Sequence, residues 1–129
     1  MLKHFMTLCA GAAFAVVAAT PALLEAAPAG NPNKGAQVFA RCAICHSNEP
    51  GKKGGVGPNL AGVVGRKAGS TTFIYSPAMK NATFVWTPQA LDAFLTKPSA
   101  KVPGTKMAFP GLSNASDRAD VIAYLASKK

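Results

Sequence analysis

The chain has 129 residues, with 14 Lys and Arg against 5 Asp and Glu, a formal charge of +9 and a hydrophobic content of 49%. That content argues against a disordered chain, and the length allows one domain with a core but hardly two. The charge admits three kinds of partner: nucleic acid, an anionic membrane surface or an acidic protein.

Residues 1–26 are a different kind of sequence from the rest. Lys3 and His4 precede an uncharged run from Phe5 to Ala19, and small residues follow at Thr20-Pro21-Ala22 and Glu25-Ala26-Ala27. This is the layout of a secretory signal peptide. A retained anchor is the competing reading, but the run is shorter than the roughly 20 residues that a helix needs to cross a bilayer. Cys9 lies deep in the run and leaves with it. Cleavage near Ala26 gives a mature domain of residues 27–129 in a periplasm or an equivalent compartment. Its charge stays at +9, because the leader removes one Lys and one Glu. No later run approaches spanning length, so a soluble monomer without stable membrane insertion is expected.

Asn31 as cap and Pro32 at the first position open a helix in which Gly35, Val38, Phe39 and Cys42 recur three and four apart. It leads into Cys42-Ala43-Ile44-Cys45-His46, which holds every Cys and His of the mature chain. C-x-x-C-H is the pattern of covalent c-type haem attachment. On a helix Cys42 shares a face with Cys45 and His46, so two thiols can add to the porphyrin vinyl groups while the imidazole meets the iron. A disulfide or a thioredoxin-like pair is the duller reading, but no βαβ pattern surrounds the motif. Zinc would need four ligands, and only three Cys or His residues remain. The glycine cluster from Gly51 to Gly57 lacks the G-K-[ST] ending of a phosphate loop and follows no strand, which excludes nucleotide binding.

Ser76 and Pro77 mark a short helical turn carrying Met79. Thr87 and Pro88 open a second main helix, with Leu91, Phe94 and Leu95 on one side and a stop before Pro98. Asn114, with Asp117 three residues on, opens a third, with Arg118, Val121, Ile122 and Leu125 on a stripe. Thr72 to Tyr75 is too short and isolated to make a sheet. The expected fold is all-α: three main helices plus loops wrapped around one covalent haem. Loops of such length normally need a packing partner, and Leu60, Val63, Phe73, Leu95, Val102, Phe109 and Leu112 would form a cage around that haem.

With no second histidine, the sixth position on the iron is left to Met79, Met107, a lysine or nothing. Methionine is more often a core residue than a ligand, and Met79 reads as core. Met107 lies in Val102-Pro103-Gly104-Thr105-Lys106-Met107, ahead of Phe109-Pro110-Gly111, a punctuated segment able to fold over a flat ligand. It is the favoured candidate.

From Gly35 to Leu125 the chain resembles the class I c-type cytochromes, the bacterial periplasmic relatives of mitochondrial cytochrome c. The matching pieces are Gly35-Ala36-Gln37-Val38-Phe39, the haem motif, Gly57-Pro58-Asn59-Leu60, Gly65-Arg66-Lys67-Ala68-Gly69, Trp86, Pro103-Gly104-Thr105-Lys106-Met107 and Asp120-Val121-Ile122-Ala123-Tyr124-Leu125. The resemblance implies haem c on Cys42 and Cys45, with His46 as the proximal ligand and Met107 as the distal one. It implies that the Pro58 carbonyl accepts from the other ring nitrogen of His46. Tyr75 and Trp86 would donate to a buried propionate, with Arg66 as the nearby cation and Thr105 as a polar contact at the haem edge. Gly35, Phe39 and Tyr124 would form the crossing of the first and last helices. Phe94 and Met79 depart from the mitochondrial pattern, where a tyrosine and an asparagine stand.

The implied function is a soluble, single-haem electron carrier and not an enzyme, since the mature chain has no spare histidine or carboxylate pair for acid/base work. An open sixth site with weak peroxidase chemistry, or a dedicated subunit of one dehydrogenase complex, are the rival readings. An exported protein rarely meets nucleic acid, and the basic residues show no stripe alternating with aromatics. Lysines including Lys34, Lys52, Lys53, Lys67, Lys101 and Lys106 would instead steer the carrier to acidic redox proteins. By resemblance these are a quinol–cytochrome c oxidoreductase and a terminal oxidase or reaction centre.

Overall fold

The computed structural model describes residues 29–129; the expected leader, residues 1–26, lies outside the described residues. Five helices follow in order: α1 (Pro32–Phe39), α2 (Pro77–Lys80), α3 (Pro88–Thr96), α4 (Pro98–Lys101) and α5 (Ala115–Ala126). Each opens on a proline, except α5. The ring fixes φ and removes an N–H that a first turn could not satisfy anyway. Side-chain caps complete four of the starts: Asn31 accepts from the N–H of Asn33 and Lys34, Ser76 from Met79, Thr87 from Ala90, and Asn114 from Ser116 and Asp117.

One boundary differs from expectation, and α4 is an addition to the expected helices. α1 ends at Phe39, and Cys42 lies in the turns beyond it rather than on the helix. The helical sense nevertheless persists, because the Cys42 carbonyl accepts from the N–H of both Cys45 (3.0 Å) and His46 (2.9 Å). Pro98 both stops α3 and starts α4, with Lys97 extended between them as a residue before proline should be.

α1 crosses α5 at Gly35, where a Cβ would lie 2.0 Å from the Asp120 carbonyl oxygen and 2.7 Å from Tyr124 Cβ. The glycine lets the two backbones meet, and the Phe39 and Tyr124 rings close the crossing with centroids 5.3 Å apart. The Asn31 N–H donates to Asp120 Oδ1 at 2.6 Å, tying the start of α1 to the middle of α5. α3 lies against α4 and α5, and Arg118 on α5 donates to Asp92 on α3 at 2.7 Å. The buried core runs through Phe39, Val63, Met79, Trp86, Leu91, Phe94, Leu95, Val102, Leu112, Val121, Ile122 and Leu125.

No strand is present among the described residues. Residues 65–68 and 84–86 share one isolated antiparallel bridge, Lys67 with Val85. Backbone bonds from Gly65 to Trp86, from Trp86 to Arg66 and from Ala68 to Phe84 reinforce it. Arg66 and Trp86 are thereby held side by side.

Candidate functional site: a covalent haem pocket

A cavity of about 520 Å³ opens between the turn after α1 and the helices, in the size range of cofactor sites. It brings together Cys42, Cys45, His46, Pro58, Arg66, Tyr75, Trp86, Thr105 and Met107, which are every site residue expected from the sequence. Most of its remaining wall is apolar: Leu60, Val63, Phe73, Met79, Leu91, Phe94, Leu95, Phe109, Val121 and Leu125. Val102 and Leu112, expected in the cage, belong instead to the buried core that backs it.

Cys42 and Cys45 are not bonded to each other, and both line the cavity. Burial raises the Cys42 thiol above its ordinary value; Arg41 counters this, and Cys45 adds to it. His46 Nδ1 lies 2.7 Å from the Pro58 carbonyl oxygen. A carbonyl can only accept, so Nδ1 carries the proton and Nε2 keeps its lone pair. Burial pulls the His46 pKa below the usual histidine value, against the Pro58 bond that raises it. The balance favours the neutral imidazole that a metal requires. Gly57 makes room for that ring: a Cβ there would come within 2.4 Å of Cε1 and 2.7 Å of Nδ1.

The Arg66 guanidinium reaches the carbonyls of Ala61 and Asn59, both at 3.0 Å. Burial lowers its pKa, and the charge of Tyr75 raises it. The Tyr75 hydroxyl pairs with Thr71 Oγ1 at 2.6 Å. The Trp86 ring stands edge-on to Phe84 and Phe94, with centroids at 4.8 and 5.0 Å. Thr105 Oγ1 accepts from the Met107 N–H at 3.3 Å, bracing the backbone of the methionine loop.

The donor set suits haem: two thiols, one imidazole nitrogen with a free lone pair, two thioethers and an apolar wall. Sequence reasoning placed Leu91, Phe94, Val121 and Leu125 on helix stripes without showing that those stripes face the cofactor rather than another helix. It also missed Ile44 and Val56, which line the cavity while remaining 81% and 79% exposed. Their apolar character beside the cysteine motif and the glycine loop was the available signal. Met79, read as core, is buried and lines the cavity as well.

Residues 32–129 match the sequence pattern of the cytochrome c family. The chain is 56% identical over 101 residues to cytochrome c2 of Rhodomicrobium vannielii, covering 78% of this chain and 81% of that one. It is 50% identical over 102 residues to cytochrome c2 of Rhodoblastus acidophilus, covering 78% and 95%. Among solved structures, cytochrome cH from Methylobacterium extorquens superposes with a TM-score of 0.73 at 44% identity, over 77% of this chain and all of that one. With its small all-α fold and the C-x-x-C-H cysteines at the mouth of the cavity, the chain belongs to the cytochrome c family as a class I c-type cytochrome, an electron-transport protein carrying haem c covalently on Cys42 and Cys45.

Proposed function

We propose that the protein is a soluble, single-haem electron carrier of the periplasm, in which His46 Nε2 and Met107 Sδ would hold the iron. The observation that supports this reading is the shared cavity, which gathers the thiols, the oriented imidazole and the Met107 segment around one apolar space. Haem bound there supplies a one-electron ferric/ferrous couple. The chain's own contribution is positional and electrostatic. Pro58 fixes the His46 tautomer, Thr105 braces the Met107 loop, and the apolar side chains exclude water. A soft thioether favours the ferrous state and raises the potential. Tyr75, Trp86 and Arg66 are the polar groups available to a propionate.

The carrier reading, rather than an enzymatic one, is supported by the similarity to cytochromes c2. Export rests on the leader pattern of residues 1–26, with residues 27–129 as the mature monomer. No helix among the described residues is long and apolar enough to cross a membrane. The excess of basic residues favours acidic redox partners, with a quinol–cytochrome c oxidoreductase as donor and a terminal oxidase or reaction centre as acceptor. The decisive test is Met107→Ala in the haem-loaded protein. The ferric sulfur-to-iron charge-transfer band should vanish and carbon monoxide should bind the ferrous form rapidly. If the band survives, Met107 is not the ligand, and Met79 becomes the candidate.

A further inference from the structure

The Pro58 carbonyl that accepts from His46 sits in a loop, where neither helix nor sheet fixes its direction. Backbone bonds pin the segment on both sides: the Gly57 N–H donates to the Cys45 carbonyl at 2.9 Å, and the Leu60 N–H to that of Ser47 at 2.7 Å. The carbonyl can turn only if the Pro58–Asn59 peptide plane turns with it. The hinges of that plane are ψ of Pro58 and φ of Asn59; the Pro58 ring locks only φ, one bond further back. On the other side stands Asn59, whose side chain is fully engaged. Its Nδ2 donates to the carbonyls of Glu49 (2.7 Å) and Lys52 (2.5 Å), and its Oδ1 accepts from the Ala61 N–H at 2.7 Å. The Asn59 carbonyl itself accepts from Arg66 at 3.0 Å. The side-chain amide thus ties the 49–52 loop and the turn after Pro58 to Asn59, and the guanidinium steadies the next peptide unit, Asn59–Leu60.

We propose that Asn59 is a positioning residue for His46: by holding the Pro58–Asn59 peptide plane it sets the strength of the Nδ1–H···O bond, and through it the basicity of the imidazole toward iron. This rests on His46 being the axial ligand. A ring nitrogen that donates strongly at Nδ1 becomes a better electron donor at Nε2 and stabilises ferric iron. Loosening the plane therefore raises the reduction potential.

The test compares haem-loaded wild type with Asn59→Ala and Asn59→Ser, both uncharged. The serine hydroxyl can still accept from the Ala61 N–H but is too short to reach the 49–52 loop. Two quantities are read: the midpoint potential, and the exchange rate of the His46 ring proton by NMR against the amides of α5. In Asn59→Ala the ring proton should exchange about fivefold faster, as loss of one hydrogen bond's worth of restraint implies. The α5 amides should be unchanged and the potential higher, and Asn59→Ser should shift both quantities the same way by less. If Asn59→Ala yields no loaded protein, Asn59→Ser decides on the same readouts. An unchanged ring-proton rate and potential in a variant with an intact low-spin spectrum overturn the role of Asn59 and leave His46 ligation standing. So does acceleration shared equally by the α5 amides, which is mere loosening. His46 ligation fails separately, if His46→Ala keeps the low-spin spectrum.

Discussion

A single hydrogen in place of a methyl group at position 57 decides where the imidazole can sit. The His46 ring occupies the volume that any side chain at Gly57 would need, so the ring and the loop have room for each other only as they stand. Gly57→Ala must push the ring off the Pro58 carbonyl or displace the loop backbone, both of which are pinned. Overpacking of this kind costs about 1–3 kcal/mol. A denaturation midpoint lowered by that amount, together with an altered low-spin spectrum, is the expected result; an unchanged midpoint and spectrum would mean that the ring is held less tightly than its contacts imply. At this scale the attachment motif was legible, because the spacing of two thiols and an imidazole is dictated by the porphyrin. The use of Gly57 was not, since close approach of a loop to a ring eleven positions away leaves no local pattern.

Among the helices, caps and prolines made the starts of α1, α2, α3 and α5 readable from residues a few positions apart. The exchange of α1 for looser turns at Ala40, and the restart of helix at Pro98, were not readable. Both depend on what the segment packs against rather than on its own periodicity. The crossing of α1 and α5 makes the sharpest demand on any element. Gly35→Ala sets a methyl carbon 2.0 Å from a carbonyl oxygen on the partner backbone, which no rotamer change relieves. The helices must separate by more than a side chain could absorb, and the Phe39–Tyr124 contact and the Asn31–Asp120 bond are strained together. A loss of at least about 2 kcal/mol, read by chemical denaturation, is expected. The ion pair of Arg118 with the half-exposed Asp92 is a lesser matter, contributing about 1 kcal/mol at most.

Over the whole molecule, charge and cofactor act at different ranges. Inside, α3 and α5 both turn apolar side chains to the cavity, so that prosthetic group and hydrophobic core are one object. Outside, 14 basic residues against 5 acidic ones create a field that reaches beyond contact distance. Second-order electron transfer to an acidic partner should slow steeply as ionic strength rises from 0.01 to 0.15 M, while the screening length falls from about 30 to about 8 Å. Stopped-flow rates that stay flat across that range would remove charge steering from the account. The sign of the balance was plain in composition alone. What sequence could not supply was the arrangement in space: Lys106 and Arg41 line the cavity, whereas Lys101 lies over Phe84, Lys128 over Tyr124, and Lys52 pairs with Glu49.

The clasp between α1 and α5 joins the two ends of the described chain, and Gly62 adds a second tether by donating to the Lys128 carbonyl at 2.7 Å. Residues 51–53 form an exposed stretch on the far arc of the chain. A protease that severs the peptide bond after Lys53 would therefore produce two pieces with nowhere to go. The shorter piece carries α1 and the haem cysteines, the longer piece carries α5, and their interface does not involve the broken bond. Such a nicked protein should migrate as one species under native conditions, keep its visible colour, and divide only when a denaturant is added.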